Sequence, residues 1–507
     1  MERIKVTLKT EQYTRDIFLS QGMSLSCALK EAGIPINAPC NGKGTCGGCK
    51  IRLAKGELEI TKQDEIIFSP KQLKEGYRLA CKAFPQTDCE IELAEEASAQ
   101  IVTESALEKN KPTEELGQKT YGVAIDLGTT TIAMQLLLLE TGQVLETVSV
   151  LNDLRMFGAD IMTRMEASVS GKREEIKTIQ NQQLQKELNS LHKKYKIEKI
   201  VLCANTAMTH LLMGYACDKL CKYPFEPYTT DRIVTGAKDM GWLADEVQVE
   251  ILPGISAFIG SDVLTGVVAA NITKDAGASL FIDLGTNGEM ALYDGKENIY
   301  VTSVPAGPAF EGGNISCGVG CVAGAIAKVE IAQDGLHCET IQDKTPVGLC
   351  GSGVLELLYE LRKNETIDET GLLSDAYFEN GFPVTGDIVF TQKDIRQLQM
   401  AKSAVASAIV ILGKEAGIEL QDITKIYLAG GFGYYLDVEK MSGLGMFATL
   451  NPLRIQSVGN TALFGAKEYL LNRQSLQNLN EVKDKAKEIL LSENDKFMEL
   501  YMENMTL

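Results

Sequence analysis

The same construction occurs twice in this chain. Residues 123–131 read VAIDLGTTT and residues 280–288 read LFIDLGTNG. Each is an apolar run of strand-forming residues that ends in Asp-Leu-Gly-Thr. Each then re-enters a second apolar run, Ile132 to Leu139 after the first copy and Met290 to Tyr293 after the second. That pattern predicts a hairpin with a tip of small residues. Gly128 and Gly285 let backbone N–H groups approach an anion, and Thr129, Thr130 and Thr286 add hydroxyls. Asp126 and Asp283 cannot bind phosphate directly, but they can hold the magnesium that phosphate carries or orient a water. Two such tips in matching contexts predict two similar halves facing one nucleotide.

Bulk properties narrow the function classes. A net charge of −18 excludes the basic footprint of a nucleic-acid binder and disfavours an anionic membrane surface. No stretch has 18 uninterrupted apolar residues, so no transmembrane helix is expected. The opening residues MERIKVTL alternate like a strand and lack the pattern of a signal peptide, which points to the cytoplasm. Thirteen cysteines there are not a disulfide framework. Their odd number and clustering point to metal ligation plus buried thiols, and three histidines are too few for a histidine-based centre.

Residues 1–96 carry that cluster. Cys40, Cys46, Cys49 and Cys81 have the spacing C-x5-C-x2-C-x31-C, with Gly42, Gly44, Gly47 and Gly48 in the loop. Four thiolates suit two irons bridged by two sulfides, and the glycines let backbone N–H groups point at sulfur. Structural zinc is the competing reading, but zinc loops are usually built from two C-x2-C knuckles and only one is present. The spacing has one residue more in its first gap than plant-type C-x4-C-x2-C. It resembles the bacterial and adrenodoxin-like [2Fe–2S] ferredoxins, whose fold is a β-grasp. Cys27 is expected to be a buried thiol on a helix capped by Ser24, and Cys89 has no assigned role.

Residues 97–120 are polar and read as a mobile linker, with a short helix over 100–109 as an option. The body is expected to comprise a first half at 121–275 and a second at 276–472. Asn205 and Thr206 follow a buried strand, where they either line a site or cap the next helix. His210 reads as a satisfied core histidine. An apolar helix is expected over 319–329, and a long amphipathic helix over 391–416. The strand at 425–429 breaks at Gly430-Gly431-Phe432-Gly433, a place where an adenine can lie flat on backbone. Cys317, Cys321, Cys338 and Cys350 are read as buried thiols, and 473–507 as a terminal helix pair packed on the body.

Taken together, these motifs resemble the acetate kinase, sugar kinase, Hsp70 and actin superfamily. Asp126, Gly128, Thr129 and Thr130 match its first phosphate loop, and Asp283, Gly285, Thr286, Asn287 and Gly288 its second. Gly430, Gly431, Phe432 and Gly433 match its adenosine motif. The resemblance implies an α+β multidomain protein: a β-grasp [2Fe–2S] ferredoxin domain, then duplicated ribonuclease H-like α/β halves around an ATP cleft. Nearly the whole chain resembles the reductive activators of corrinoid proteins. The implied activity is ATP-dependent transfer of one electron from the [2Fe–2S] cluster to Co(II) cobalamin, giving Co(I). Implied cofactors are the cluster, ATP and Mg2+. Implied partners are a corrinoid-containing methyl-transfer protein and a low-potential electron donor, with room for a homodimer. The chain departs from the family's longer members in its short linker, and from methylamine-pathway activators in lacking C-terminal cysteine clusters. Two alternatives are a small-molecule kinase with a regulatory iron–sulfur domain and a redox-sensing ATP-binding module.

Overall fold

The fold is described from a computed structural model for residues 3–9, 14–32, 34, 36, 44, 49–68, 70–93, 103–107, 119–158, 160–431, 433 and 436–507. Cys40, Cys46, Gly42, Gly47, Gly48, Phe432 and most of the expected linker lie outside these residues. The chain divides into two compact units, Met1–Ser98 with Asn152–Gln180, and Ala99–Leu151 with Asn181–Leu507.

In the first unit, β1 (Arg3–Lys9) buries Ile4, Val6 and Leu8 on one face, the period of two that a half-buried strand requires. β2 (Thr14–Ser20) returns antiparallel to it. α1 (Leu25–Glu31) follows, its first turn held by the Ser24 hydroxyl, which accepts from the Cys27 N–H at 3.3 Å. Leu25, Ala28 and Leu29 fill its inner face. Cys27 therefore points outward and is exposed, contrary to the expectation of a buried thiol. β3 (Lys50–Lys55), α2 (Lys62–Ile67), α3 (Pro70–Lys74), β4 (Tyr77–Leu79) and β5 (Cys89–Leu93) complete a five-stranded sheet of order β2-β1-β5-β3-β4. Only β1 and β5 pair in parallel, and the result is the mixed sheet of a β-grasp. The same unit takes in Asn152–Gln180 with α4 (Ile161–Ala167) and the start of α5 (Arg173–His192), a segment that sequence reading assigned to the first ATPase half.

The second unit holds two sheets of matching design. β6 (Tyr121–Leu127), β7 (Thr131–Leu138) and β8 (Gln143–Leu151) form an antiparallel meander, and β9 (Ile197–Ala204) joins β6 in parallel. α6 (Thr206–Met213), β10 (Ile233–Gly236), β11 (Gln248–Ile251) and α7 (Ser261–Ala270) follow, giving the order β10-β11-β9-β6-β7-β8. The second half repeats this with the meander β12 (Ser279–Leu284), β13 (Asn287–Tyr293) and β14 (Ile299–Pro305). Then come β15 (Ala325–Ala332), β16 (Gly335–Thr340), β17 (Gly348–Leu349), α8 (Gly351–Lys363), α9 (Asp375–Phe378), and the hairpin β18 (Phe382–Thr385) and β19 (Ile388–Phe390). α10 (Gln392–Ala416) leads to β20 (Lys425–Ala429), which pairs in parallel with β12 as β9 does with β6. α11 (Val438–Gly443), β21 (Ile455–Gly459), α12 (Thr461–Leu470), α13 (Leu476–Lys485), β22 (Ala486–Glu488) and α14 (Phe497–Glu503) end the chain. The sheet order is β21-β20-β12-β13-β14-β22. Both halves thus follow the ribonuclease H-like pattern.

The halves share one core. Ala124 and Val201 of the first sheet and Phe281 and Val301 of the second fall in a single buried cluster with residues of α7 and α12. The two helices cross closely because each offers a glycine. A Cβ on Gly465 would sit 2.6 Å from the Thr265 carbonyl, and one on Gly266 would sit 2.7 Å from the Thr461 hydroxyl. α10 is long and apolar enough to cross a membrane by composition, but 78% of that window is buried, and it is the core helix of the second half. Thr391 and Asp394 close its start with a reciprocal capping box, an arrangement in which the cap contributes about 1 kcal/mol.

Beyond Cys27, further expectations change. Cys317, Cys321 and Cys338 are only half-buried where buried thiols were expected, and Cys350 is buried as expected. The helix predicted over 319–329 is instead a loop leading into β15, because residues 326–332 pair with β16 in a hairpin closed at Gln333-Asp334. The terminal tail is not purely helical. β22 pairs in parallel with β14 and caps that edge of the second sheet. Residues 103–107, expected to be part of a loose spacer, form a docked segment. Ser105 pairs with Gly459, Asn460 donates its N–H to the Glu104 carbonyl at 2.9 Å, and the buried Ser105 hydroxyl donates to the Val458 carbonyl at 2.7 Å. Gln135 donates to the Thr103 carbonyl at 3.0 Å. A Cβ on Gly459 would lie 2.3 Å from the Glu104 carbonyl, so only glycine admits the segment.

Candidate nucleotide cleft and cluster site

The two Asp-Leu-Gly-Thr tips are the turns between β6 and β7 and between β12 and β13. At the first, a Cβ on Gly128 would meet the Thr131 carbonyl at 2.8 Å, so the turn needs glycine. The Asn205 side-chain amide donates to the Thr129 hydroxyl at 3.1 Å, while its oxygen accepts from the Met208 N–H and caps α6. Asn205 thus caps α6 as one of its two readings expected, and it also contacts the first tip. Thr206 is buried and donates its hydroxyl to the Ser256 carbonyl. His210 is a core histidine, with Nδ1 donating to the Thr206 carbonyl at 2.7 Å and Nε2 accepting from the Tyr228 N–H at 2.8 Å.

At the second tip, the Gly285 N–H donates to the Asn287 carbonyl at 2.9 Å, and Gly288 begins the β13 pairing opposite Leu284. Gly430 packs directly beneath it. Its φ is +91°, and a Cβ there would lie 2.4 Å from the Leu284 carbonyl and 2.6 Å from the Asp283 carboxylate. Gly431 is exposed, and Gly433 abuts Leu428 and offers its carbonyl to the Ser457 hydroxyl at 3.1 Å. One carboxylate joins the tips. Glu311 accepts from the Thr130 hydroxyl at 3.2 Å through one oxygen and from the Thr286 hydroxyl at 3.5 Å through the other.

Acidic groups gather behind these tips. Burial raises Asp126 to about 6, relieved in part by the Asn460 amide, which donates to it at 2.8 Å. Burial raises Asp262, in the first turn of α7, to about 7, against the pull of the Val263 N–H and with a push from Asp126. Asp283 is likewise raised to about 7 by burial and then by Asp262 and Asp126. Burial, and then Asp262 and Asp283, push Glu289 up as well. No lysine or arginine among the described residues offsets these charges. No three acids, cysteines or histidines among the described residues are set to chelate one ion directly. A magnesium ion that keeps several of its waters suits such a ring, since it needs only one or two carboxylates plus phosphate. Asp262, Glu289, Glu311 and Asn460 were not found from sequence. Glu289 sits one residue past the second tip and pairs across its hairpin with Asp283, whereas Asp262, Glu311 and Asn460 come from separate segments.

The cysteine site lies in the β-grasp. Cys49 precedes β3 and Cys81 follows β4, strands whose register pairs Lys50 with Leu79. The Ala80 N–H donates to the Cys49 carbonyl at 2.9 Å, and the Ala80 carbonyl accepts from Ser26 at the start of α1. Both thiols are buried. Two inward thiols on register-locked strand ends fit two ligands of a four-thiolate cluster. Cys89 on β5 is buried and pushed up to about 11 by burial, the mark of an inert thiol.

Comparison with known proteins assigns these parts. Residues 121–275 match the RACo middle region, and 277–507 match the C-terminal domain of RACo, the ASKHA domain. Residues 11–86 match the 2Fe-2S iron-sulfur cluster binding domain. The chain belongs to the RACo family. It is 27% identical to the corrinoid activation enzyme RamQ of Eubacterium limosum over 96% of this chain and 97% of that protein. It is 27% identical to the [Co(II) methylated amine-specific corrinoid protein] reductase of Methanosarcina barkeri, over 75% and 76% of the two chains. Among solved structures it is similar to a reductive activator for corrinoid, iron-sulfur protein, with a TM-score of 0.70 and 25% identity over 99% and 98% of the chains.

The raised carboxylates of this RACo-family cleft make a prediction. A carboxylate whose folded pKa lies above its unfolded value of about 3.9 holds its proton more tightly when folded. Its contribution to stability is therefore complete below about pH 4 and is lost as pH rises through about 6–7. Asp283→Asn cannot ionise. In the absence of nucleotide and magnesium it should melt higher than the parent at pH 8, by roughly 2–4 °C for each kcal/mol of relief, and show a smaller gain at pH 5.5. Thermal melts at the two pH values check this, and an equal shift at both would contradict it.

Proposed function

We propose that this chain is an ATP-dependent reductive activase. It transfers one electron from a [2Fe–2S] cluster to the Co(II) cobalamin of a corrinoid methyl-transfer protein, giving Co(I), with hydrolysis of ATP to ADP and phosphate. The observation that carries this reading is the end-to-end likeness to the corrinoid activation enzyme RamQ, in a chain that folds a β-grasp and a two-tipped acidic cleft. The cluster supplies a one-electron donor, near roughly −400 mV for plant-type examples.

The residue roles belong to the same proposal. Cys40, Cys46, Cys49 and Cys81 hold the cluster. Asp126 and Asp283 act on the phosphates through Mg2+ and water. Gly128, Thr129, Thr130, Gly285, Thr286, Asn287 and Gly288 cradle the phosphates, and Gly430, Gly431, Phe432 and Gly433 receive the adenosine. ATP matters because Co(I) is hard to reach. Each ~59 mV uphill costs a factor of ten in a one-electron equilibrium. A nucleotide shifts that equilibrium only by binding two states of the protein unequally. Thr130 and Thr286, on tips from opposite halves, are where such a difference is felt.

We place the protein in the cytoplasm, where thiols stay reduced, with a low-potential donor supplying electrons. The test mixes reduced protein, Co(II) corrinoid protein, and either ATP or no nucleotide, and follows cobalt absorption anaerobically. Conversion to Co(I) should need ATP. Equal conversion without it would refute the coupling.

A further inference from the structure

Among the described residues, Glu311 contacts the tips of both halves, and the proposed function gives it no role. It ends a short turn, Pro308–Glu311, flanked by Gly307 at φ +75° and Gly312 at φ +80°. The turn is held rigidly. A Cβ on Gly312 would lie 2.6 Å from the Val319 carbonyl, and one on Gly318 would lie 2.0 Å from the Gly312 carbonyl. Phe310 beside it is fully buried. The backbone that presents the carboxylate is therefore fixed, and any yielding is by the Glu311 side chain alone. Its oxygens accept from Thr130 at 3.2 Å and Thr286 at 3.5 Å. Those hydroxyls are the donors that a phosphate oxygen placed between the tips would also use.

We propose that Glu311 is a positioning residue that stands in for the terminal phosphate of ATP. Without nucleotide, its carboxylate occupies the acceptor place between the two tips and keeps Thr130 and Thr286 turned toward each other. With ATP, the terminal phosphate takes over the hydroxyls, and the carboxylate yields to it. The cleft is thereby preset for an anion at that point, and the protein resists filling it with anything less charged than the carboxylate it displaces. This rests on the reading of the tips as phosphate loops and names the phosphate that each half senses.

The test measures binding of Mg–AMP-PNP and Mg–ADP to the full-length protein by calorimetry. Binding of AMP-PNP to the parent bears on the ATP reading alone, and the difference between variant and parent bears on Glu311. Glu311→Gln removes the competing charge but keeps the shape. It should bind AMP-PNP at least fivefold more tightly while ADP affinity stays within twofold, and its kcat for ATP should move apart from its KM. Glu311→Ala, which makes no packing demand, should show the same selectivity should the glutamine variant not fold. Unchanged or weaker AMP-PNP binding in the folded variant, or equal tightening for ADP, would overturn the assignment. A merely structural glutamate would weaken both nucleotides together.

Discussion

Asp283→Ala should lower ATP turnover by about two to three orders of magnitude, and Asp126→Ala by a similar factor, while the iron–sulfur absorption is untouched. The size follows from what the two carboxylates are placed to do. Removing one preorganised group that stabilises charge at a transition state typically costs about 3–4 kcal/mol, and a magnesium clamp on a transferring phosphoryl group works in the same way. The two side chains are not interchangeable in surroundings. Asp126 is steadied by the Asn460 amide at 2.8 Å. Asp283 faces like charges from Asp262 and Asp126, and the Gly430 backbone packs against it. Asp283→Asn should therefore retain the fold and lose turnover, which separates chemistry from packing. Steady-state hydrolysis and cobalt reduction should fall together. Variants that keep parental turnover would mean the cleft only binds nucleotide, the behaviour of a sensing module.

Cys81→Ser should yield a protein nearly free of iron that still hydrolyses ATP within about twofold of the parent and forms no Co(I). The thiolate is the soft ligand that iron–sulfur clusters select, and a serine hydroxyl stays protonated and hard. Backbone geometry at the site would survive the change, because the Ala80 N–H holds the Cys49 carbonyl and Ser26 holds the Ala80 carbonyl. Cys49→Ser should behave alike. Cys89→Ser is the control. Its thiol is buried on β5 and pushed up to about 11, so the cluster should be unaffected. Iron content and visible absorption decide the matter. A Cys81→Ser protein with full iron and parental colour would remove that residue from the ligand set.

Much of the architecture was legible because local signals and tertiary roles agree. The Asp-Leu-Gly-Thr tips fall in hairpins, and at the first of them glycine is sterically demanded. The run from Thr391 to Ala416 carries its own capping box and a helical apolar stripe. His210 was read as a satisfied core residue, and both ring nitrogens have partners. Misreadings arose where local composition and long-range pairing diverge. Residues 319–329 are small and apolar enough for a helix, but β15 is decided by β16 and by a parallel contact with β17. Ala486–Glu488 has no strand pattern at all and becomes a strand only because β14 offers it an edge. In the cleft, the tips were visible as motifs. Glu311, Asp262 and Asn460 were not, since each is ordinary in sequence and acquires meaning only by arriving beside the tips, while Glu289 lies next to the second tip and gains its role only from the hairpin pairing with Asp283.

The docking of residues 103–107 on Val458–Asn460 makes two stretches of similar composition unequal in what they tolerate. Extra residues inserted before Thr103 would lengthen only the approach from the β-grasp. The same residues inserted between Leu107 and Lys119 would fall between two points already fixed, one beside Gly459 and the other at the start of β6. Since Asn460 both receives that fastening and steadies Asp126, anything that prises Glu104 away loosens a carboxylate of the cleft at the same time.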